Sequence, residues 1–430
     1  MIDHFFRLTE RNTSLKQELI GGLTTFLTMS YIIFLHPNML AETGMDKSAL
    51  ITITCLASFI GTLIVGLWAN VPFALAPGLG LNSFFTYSVV IGLGVDWQTA
   101  LGVVFISGVL FLILTFSGFR ERIIHAIPIS LRLAVPAGIG LLITFVGLKN
   151  MGLIISNSST LLQMGKMSST LTISLLGLVL IILLEIKKIK GSILIGILFI
   201  VISGIIFGLI QVPADFISSP PSIKPIVFQL NIIQAMQISF IGIIFSFLFV
   251  DLFDSVGTII ACSYEAKLVK KNGNISGIDK ILGSDAISTV IGSILGTSTI
   301  TTYIESASGI SAGARTGLSS VLVGILFLIA PFFAPVIQIV PGYATAPALV
   351  VVGLYMFRSI QKINFLDLED GIPAFFTIII MPFTSSISMG LSYGFLSFII
   401  LKIINGKFRQ LSAILWIIGI LSLANLIISS

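Results

Sequence analysis

Pro72-Phe-Ala-Leu-Ala-Pro77-Gly78-Leu-Gly80-Leu-Asn82-Ser-Phe-Phe85 and, far along the chain, Gly296-Thr-Ser-Thr-Ile-Thr-Thr302-Tyr303-Ile-Glu305-Ser-Ala-Ser-Gly309 interrupt apolar sequence in the same way. Each opens with residues that disfavour a regular helix: Pro77 between small residues in the first, the Thr/Ser run 297–302 in the second. Each then continues as a short helix-like segment with a polar residue near its start, Asn82 or Glu305. Such stretches at matching places in two halves of a membrane chain read as broken spans. Irregular backbone at membrane depth is tolerated only where it lines a protein cavity, so a site is expected between them. The structural alternative is a pair of re-entrant loops or short interfacial helices.

The membrane setting follows from composition. Of 430 residues, 56% are hydrophobic and only 10% charged, with a mean hydropathy of +1.10. A soluble domain needs far more charge on its surface. Apolar runs recur along the whole length, each of about 17–25 residues and able to cross a ~30 Å hydrocarbon core. They lack the alternation of a barrel strand. The first run begins only after polar residues through Lys16 and Glu18, unlike a cleaved signal peptide. The net charge of +5 comes from cations at run ends, so no basic face points to nucleic acid. Cys55 and Cys262 read as small packing residues, and His4, His36 and His125 are too scattered for a metal cluster. A G-x-x-x-x-G-K-[ST] loop is missing, so ATP does not power the chain directly.

Spans are expected near 16–36, 48–70, 73–94, 97–118, 128–148, 169–187 and 192–210, then near 237–263, 280–296, 298–313, 315–334, 343–358, 371–386 and 388–404. The loop 211–236 joins two halves, 1–210 and 237–404, and residues 405–430 form a further apolar segment that either spans the membrane or lies along it. Cation placement supports this layout. With Arg7, Arg11 and Lys16 in the cytoplasm, alternate loops are basic: Arg120, Arg122 and Arg132; Lys187, Lys188 and Lys190; Lys267, Lys270, Lys271 and Lys280; Arg315; Arg358 and Lys362; Lys402, Lys407 and Arg409. The intervening loops hold chiefly Lys47, Lys149, Lys166 and Lys224. Seven spans per half is an odd number, so the second half enters the membrane inverted, as an inverted repeat requires.

Nearly all of the eighteen acidic residues fall in loops or at span ends; Asp251, Asp254 and Glu305 do not. A carboxylate at mid-bilayer costs roughly 2.5–3.5 kcal/mol on the lenient insertion scale. No Lys or Arg falls at a span centre to pair with them. Asp251 and Asp254 are one turn apart, Thr258 continues their face, and Gly257 admits close approach. Asp285 reads either as a helix-start acid or as a coupling residue. At Glu305 the half-helix terminus and burial pull protonation in opposite senses, which a proton-coupled carrier can use. Asn82 offers a donor and an acceptor to a heterocycle edge, or caps its half-helix, or both. Gly309, Gly313 and Gly317 recur every four residues, a spacing of close helix packing, and Arg315 needs no role beyond topology.

Ala76-Pro-Gly-Leu-Gly-Leu-Asn82-Ser-Phe-Phe, Phe249-Val-Asp251-Leu-Phe-Asp254-Ser-Val-Gly-Thr258 and Gly296-Thr-Ser-Thr-Ile-Thr-Thr-Tyr-Ile-Glu305-Ser-Ala resemble the adenine/guanine/hypoxanthine permeases. These form the AzgA-like branch of the nucleobase–cation symporter-2 family. The opening segment Phe5-Phe-Arg-Leu and Thr24-Thr-Phe-Leu-Thr-Met-Ser-Tyr31 is similar to it too. The resemblance implies an all-α polytopic fold of fourteen spans, in two inverted repeats divided into core and gate domains, with spans 3 and 10 part strand and part helix. It implies no enzyme, no cofactor beyond a coupling proton, and proton-driven purine import across the cytoplasmic membrane by an elevator-like movement. By position it makes Asp251 and Glu305 the main purine contacts, Asn82 the span 3 contact and Asp254 a supporting acid; Gly80 and Thr302 are further candidate substrate contacts, and Thr258 and Asp285 further candidate supporting or proton-coupling residues. It leaves monomer and homodimer open. Leu79 stands where Met is common and Ala314 where Gly is usual, departures that bear on purine preference. The competing readings are a uracil or xanthine carrier, a sulfate-type anion transporter, an ion channel, and a membrane enzyme using Asp251 and Asp254 as acid and base.

Overall fold

A computed structural model describes residues 2–117, 126–269 and 275–429. Arg120, Arg122, His125, Lys270 and Lys271 lie outside the described residues.

The expected spans are all present as elements. Span 1 is two helices, Leu15–Met29 and Ile32–Ala41, meeting at Ser30 and Tyr31. Span 2 is Lys47–Ile64, continued by a π-helical turn to Ala69. Span 3 is strand β1 (Leu75–Pro77) followed by helix Leu79–Ser83 and a π-helical continuation to Gly92. Spans 4 to 7 are Trp97–Phe116, Ile129–Asn150, Ser169–Ile186 and Ser192–Ile206. Between spans 5 and 6 a small hairpin pairs β2 (Ile154–Asn157) with β3 (Leu161–Met164). Spans 8 and 9 are Ile241–Glu265 and Ile278–Leu295, and span 10 is β4 (Ile300–Thr302) with helix Ser306–Ser311. Spans 11 to 14 are Gly317–Ile329, Gly342–Phe357, Leu368–Thr384 and Ile387–Ile404, and the last apolar segment is a helix, Ala413–Ser429.

Among the described residues, nine helices are long and apolar enough to cross a membrane unaided. The remaining spans are short, polar or broken, and spans 3, 9 and 10 among them are largely buried against neighbouring elements. Spans 1 to 4 pack with 8 to 11, and spans 5 to 7 with 12 to 14, giving two bodies. In the second body, spans 5 and 12 touch backbone to backbone. A Cβ on Gly140 would lie 2.5 Å from the Gly353 carbonyl oxygen, and one on Gly353 2.1 Å from Thr144 Oγ1.

β1 and β4 pair antiparallel, Leu75 opposite Thr302 and Pro77 opposite Ile300. Two residues from each strand face outward, away from the ladder, and lipid cannot satisfy their backbone groups. Threonines do so instead. The Thr62 hydroxyl of span 2 donates to the Leu75 carbonyl and accepts from the Leu75 N–H, each at 2.9 Å. The Thr289 hydroxyl of span 9 treats Ile300 identically, at 3.0 and 3.1 Å. Spans 2 and 9 are repeat mates, so this matched pair expresses the inverted symmetry at the level of single hydrogen bonds. Pro77 has no N–H to satisfy, which suits an outward position, and its carbonyl accepts from the Tyr303 hydroxyl at 2.5 Å.

Buried His36 is a brace between spans. The Thr54 hydroxyl is committed to the Leu50 carbonyl at 2.6 Å, so it accepts from His36 Nδ1 at 2.7 Å. Nε2 is hydrogen-bonded to the Thr297 hydroxyl at 2.9 Å, so the ring links spans 1 and 2 to the segment entering β4.

The glycine series divides by role. A Cβ on Gly309 would lie 2.0 Å from Thr25 Oγ1, and one on Gly317 1.8 Å from the Gly66 carbonyl oxygen, so both are close-packing positions. Gly313 instead has φ +114°, a turn conformation that favours glycine. Arg315 does more than mark topology: its Nη1 donates to the Ile310 and Ala314 carbonyls at 2.5 and 2.6 Å, closing the end of the span 10 helix. Its own N–H donates to buried Glu18 at 2.8 Å, joining spans 1 and 11.

Thr289→Val keeps the side-chain shape but strips both Ile300 backbone groups of their partner, at about 1–3 kcal/mol for each group left unmade. The purified protein is expected to unfold at a clearly lower temperature in detergent, and Thr289→Ser to recover most of the loss. Equal unfolding temperatures for wild type and Thr289→Val would dismiss this role.

Candidate functional site at the broken spans

A cavity of about 400 Å³ lies where the ends of β1 and β4 meet spans 1, 5, 8 and 12. Span 3 contributes Gly78, Leu79 and Gly80, and span 10 contributes the run Thr301 to Glu305. Tyr31 of span 1 closes one side. The second body supplies an apolar wall that includes Ile139, Val352 and Met356. The cavity therefore sits on the boundary between the two bodies, the place a moving boundary would open and close.

The helical step decides which acid of span 8 reaches it. Val250, Phe253, Asp254, Gly257 and Thr258 form one arc of that helix and line the cavity. Asp251 falls at the margin of the arc and is fully buried outside the lining. Ser255, on the far side of Asp251 from the arc, donates to Asp285 of span 9. Asp254 and Glu305 are thus the acids with partial access through the cavity, while Asp251 and Asp285 are sealed. Sequence spacing put Asp251, Asp254 and Thr258 on one face, which holds only to within a turn's breadth.

Asp285 is not a helix-start acid. Span 9 starts at Ile278, its first-turn acid is Asp279, and Asp285 lies two turns in, beyond the reach of the terminus. Its Oδ1 accepts from Thr302 Oγ1 at 3.3 Å. A chain of contacts, Ser255 to Asp285 to Thr302, therefore backs the β4 end of the cavity. Asn82 also lies behind the lining: it is fully buried, and its Oδ1 accepts from the Ser298 hydroxyl, tying the span 3 helix to the segment entering β4. Gly80 and Thr302 do line the cavity, and so does Thr258. Glu305 stands at the N-cap of the span 10 half-helix, with its Oε1 accepting from the Tyr31 hydroxyl at 2.6 Å.

Sequence reasoning did not single out Tyr31 as a site residue, nor any wall residue of spans 5 and 12. The wall residues are apolar within apolar spans and give no local signal. Among the described residues, no group of His, Cys, Asp and Glu is arranged to hold a metal ion.

Two broken spans meeting at an acid-bearing cavity between two helical bodies is a transporter's arrangement. The sequence profile of the Permease family (Xan_ur_permease) matches residues 16–392, which include every residue lining the cavity. The chain belongs to this family. It is 40% identical to adenine permease AdeQ of Escherichia coli, over 96% of this chain and 93% of that protein. It is 43% identical to guanine/hypoxanthine permease PbuG of Bacillus subtilis, over 96% of each. Its fold matches the transmembrane domain of the cyanobacterium bicarbonate transporter BicA, with a TM-score of 0.68 at 16% identity, over 87% of this chain and 97% of that one. The fourteen-span inverted repeat and the nucleobase–cation symporter-2 membership expected above both stand, and the chain is a multi-pass membrane permease rather than an enzyme.

In this permease, Gly257 faces open cavity: a Cβ there would meet nothing within 4 Å. A Cβ on Gly80 would come within 3.1 Å of Ile139 Cγ2 and 3.5 Å of Met356 Cε, where the second body closes over span 3. Gly257→Ala is accordingly expected to insert normally and keep the wild-type unfolding temperature. Gly309→Ala should unfold earlier or fail to accumulate. Comparable damage from both substitutions would contradict the cavity's position.

Proposed function

We propose that this permease imports purine nucleobases (hypoxanthine, guanine and adenine) across the cytoplasmic membrane, with its amino terminus in the cytoplasm and the proton gradient as driving force. The observation that carries this reading is the pair Asp254 and Glu305 in a cavity of about 400 Å³, a size within the range of small-molecule sites. A purine presents several N–H donors along planar edges, and carboxylates are acceptors suited to them. The apolar wall from Ile139, Val352 and Met356 suits the ring faces. The relatives named adenine and guanine/hypoxanthine permeases support the same substrate class. Carboxylates also disfavour an anion, which sets the sulfate-type reading aside on charge.

The acids divide by access. Asp254 and Glu305 are the direct purine contacts, and Asp251, the match by resemblance, supports them from its sealed position beside the arc. Transport proceeds by movement of the body carrying both broken spans against the body carrying the apolar wall, because the cavity is shared between them. A carboxylate that alternates between water access and enclosure can take up a proton on one side and lose it on the other. Glu305, half-buried at the junction, fills that role.

Uptake of labelled hypoxanthine, guanine, adenine and uracil in cells lacking their own permeases tests the proposal. Purines are expected to accumulate and to leave when a protonophore is added; accumulation of uracil alone would refute the assignment. Glu305→Gln should insert normally yet lose concentrative uptake. Asp254→Asn should raise KM more than Asp251→Asn does, and the reverse order would return the contact role to Asp251.

A further inference from the structure

Tyr31 lies at the junction between the two helices of span 1, outside the broken spans and outside span 8. Its carbonyl accepts from the N–H groups of Phe34 and Leu35, both at 3.1 Å, so its backbone is anchored as the start of the second helix. Its ring is 1% exposed. From this fixed base the hydroxyl reaches across to Glu305 Oε1 at 2.6 Å, a short contact of the kind made to an ionised acceptor.

The Glu305 backbone is anchored in the same way, its carbonyl accepting from the Ser308 N–H at 2.9 Å, but its side chain is longer and more flexible. Glu305 sits at the N-cap of a six-residue helix, Ser306–Ser311, and its carboxylate opens on the cavity. Glutamate has three side-chain torsions, and holding it in one of their combinations costs conformational entropy. A ligand that met a freely turning carboxylate would bear that cost on binding. A tyrosine has two torsions, and here packing holds both.

We propose that Tyr31 is a positioning residue for transport. It holds the Glu305 carboxylate by one oxygen and leaves the other to accept an N–H of the ligand, so the acid is ordered before the ligand arrives. The proposal rests on the purine-carrier reading above. It places the specificity of the site partly in span 1, which joins the cavity only through this side chain.

The test is the initial rate of labelled hypoxanthine uptake by Tyr31→Phe, which keeps the ring and removes the hydroxyl alone. The loss of one charge-assisted hydrogen bond is expected to raise KM about tenfold, with little change in maximal rate per molecule in the membrane. A residue that merely held span 1 in place would lower abundance or unfolding temperature and leave KM alone. In a Glu305→Asp background, where the carboxylate is drawn back from the hydroxyl by one methylene, Tyr31→Phe should add little further loss. A full additional loss there would mean that the hydroxyl binds ligand directly, and would overturn the proposal. So would an unchanged KM in Tyr31→Phe, or failure of that variant to insert, which would make Tyr31 a folding residue. If the wild type accumulates no purine, the functional reading falls and this one with it. If the wild type does and Tyr31→Phe matches its KM, only this proposal falls.

Discussion

Everything at the centre of this molecule depends on satisfying backbone that has been taken out of a helix at membrane depth. A helix meets its own hydrogen-bonding needs, but a strand of three residues does not, and lipid offers no partner. β1 and β4 solve half of the problem by pairing with each other. The other half falls to Thr62 and Thr289, whose hydroxyls each serve both backbone groups of one outward residue. The pairing also joins the two repeats at one point. Because the repeats are inverted, their half-helices then depart in opposite directions and leave a space between their starting ends.

That space gains its polarity from several elements that are remote in sequence. Span 8 offers Asp254 to it, span 10 offers Glu305, and span 1 reaches Glu305 through Tyr31. Behind the lining, Asp285 takes hydrogen bonds from Ser255 and Thr302, and Asn82 takes one from Ser298. These sealed groups hold span 9 and span 3 against the segment that forms β4. A wall of aliphatic and thioether side chains from the second body faces them. Both acids of the lining belong to one body, and the facing wall of Ile139, Val352 and Met356 to the other.

Much of this was legible in the amino-acid order. Pro77 and the Thr/Ser run before Tyr303 announced broken spans because those residues cannot sustain a helix. The alternation of basic loops yielded the span count without reference to any packing. The costly carboxylates stood out because they fall within spans and no Lys or Arg falls at a span centre to pair with them. Three points escaped. By sequence Asp285 reads as either a helix-start acid or a coupling residue, and its place two turns into span 9 removes the first of these. Gly313 joined a packing series by spacing alone, although its backbone is a turn. Tyr31 could not be connected with Glu305, because no local rule links residues 274 positions apart.

The sequence by itself determined the membrane setting, the inverted repeat, the broken spans and the identity of the buried acids. All of these follow from local chemistry: hydrophobic length, charge placement and helix-breaking residues. Only the tertiary structure decided which acids open on the cavity. Asp251 and Asp254 are three residues apart, and a helix carries them to neighbouring but distinct directions, one sealed and one accessible. That choice depends on how span 8 is rotated against spans 3, 9 and 10, and rotation is set by packing across the whole body. Periodicity tells which residues share a face; it does not say where on that face a cavity's edge will fall.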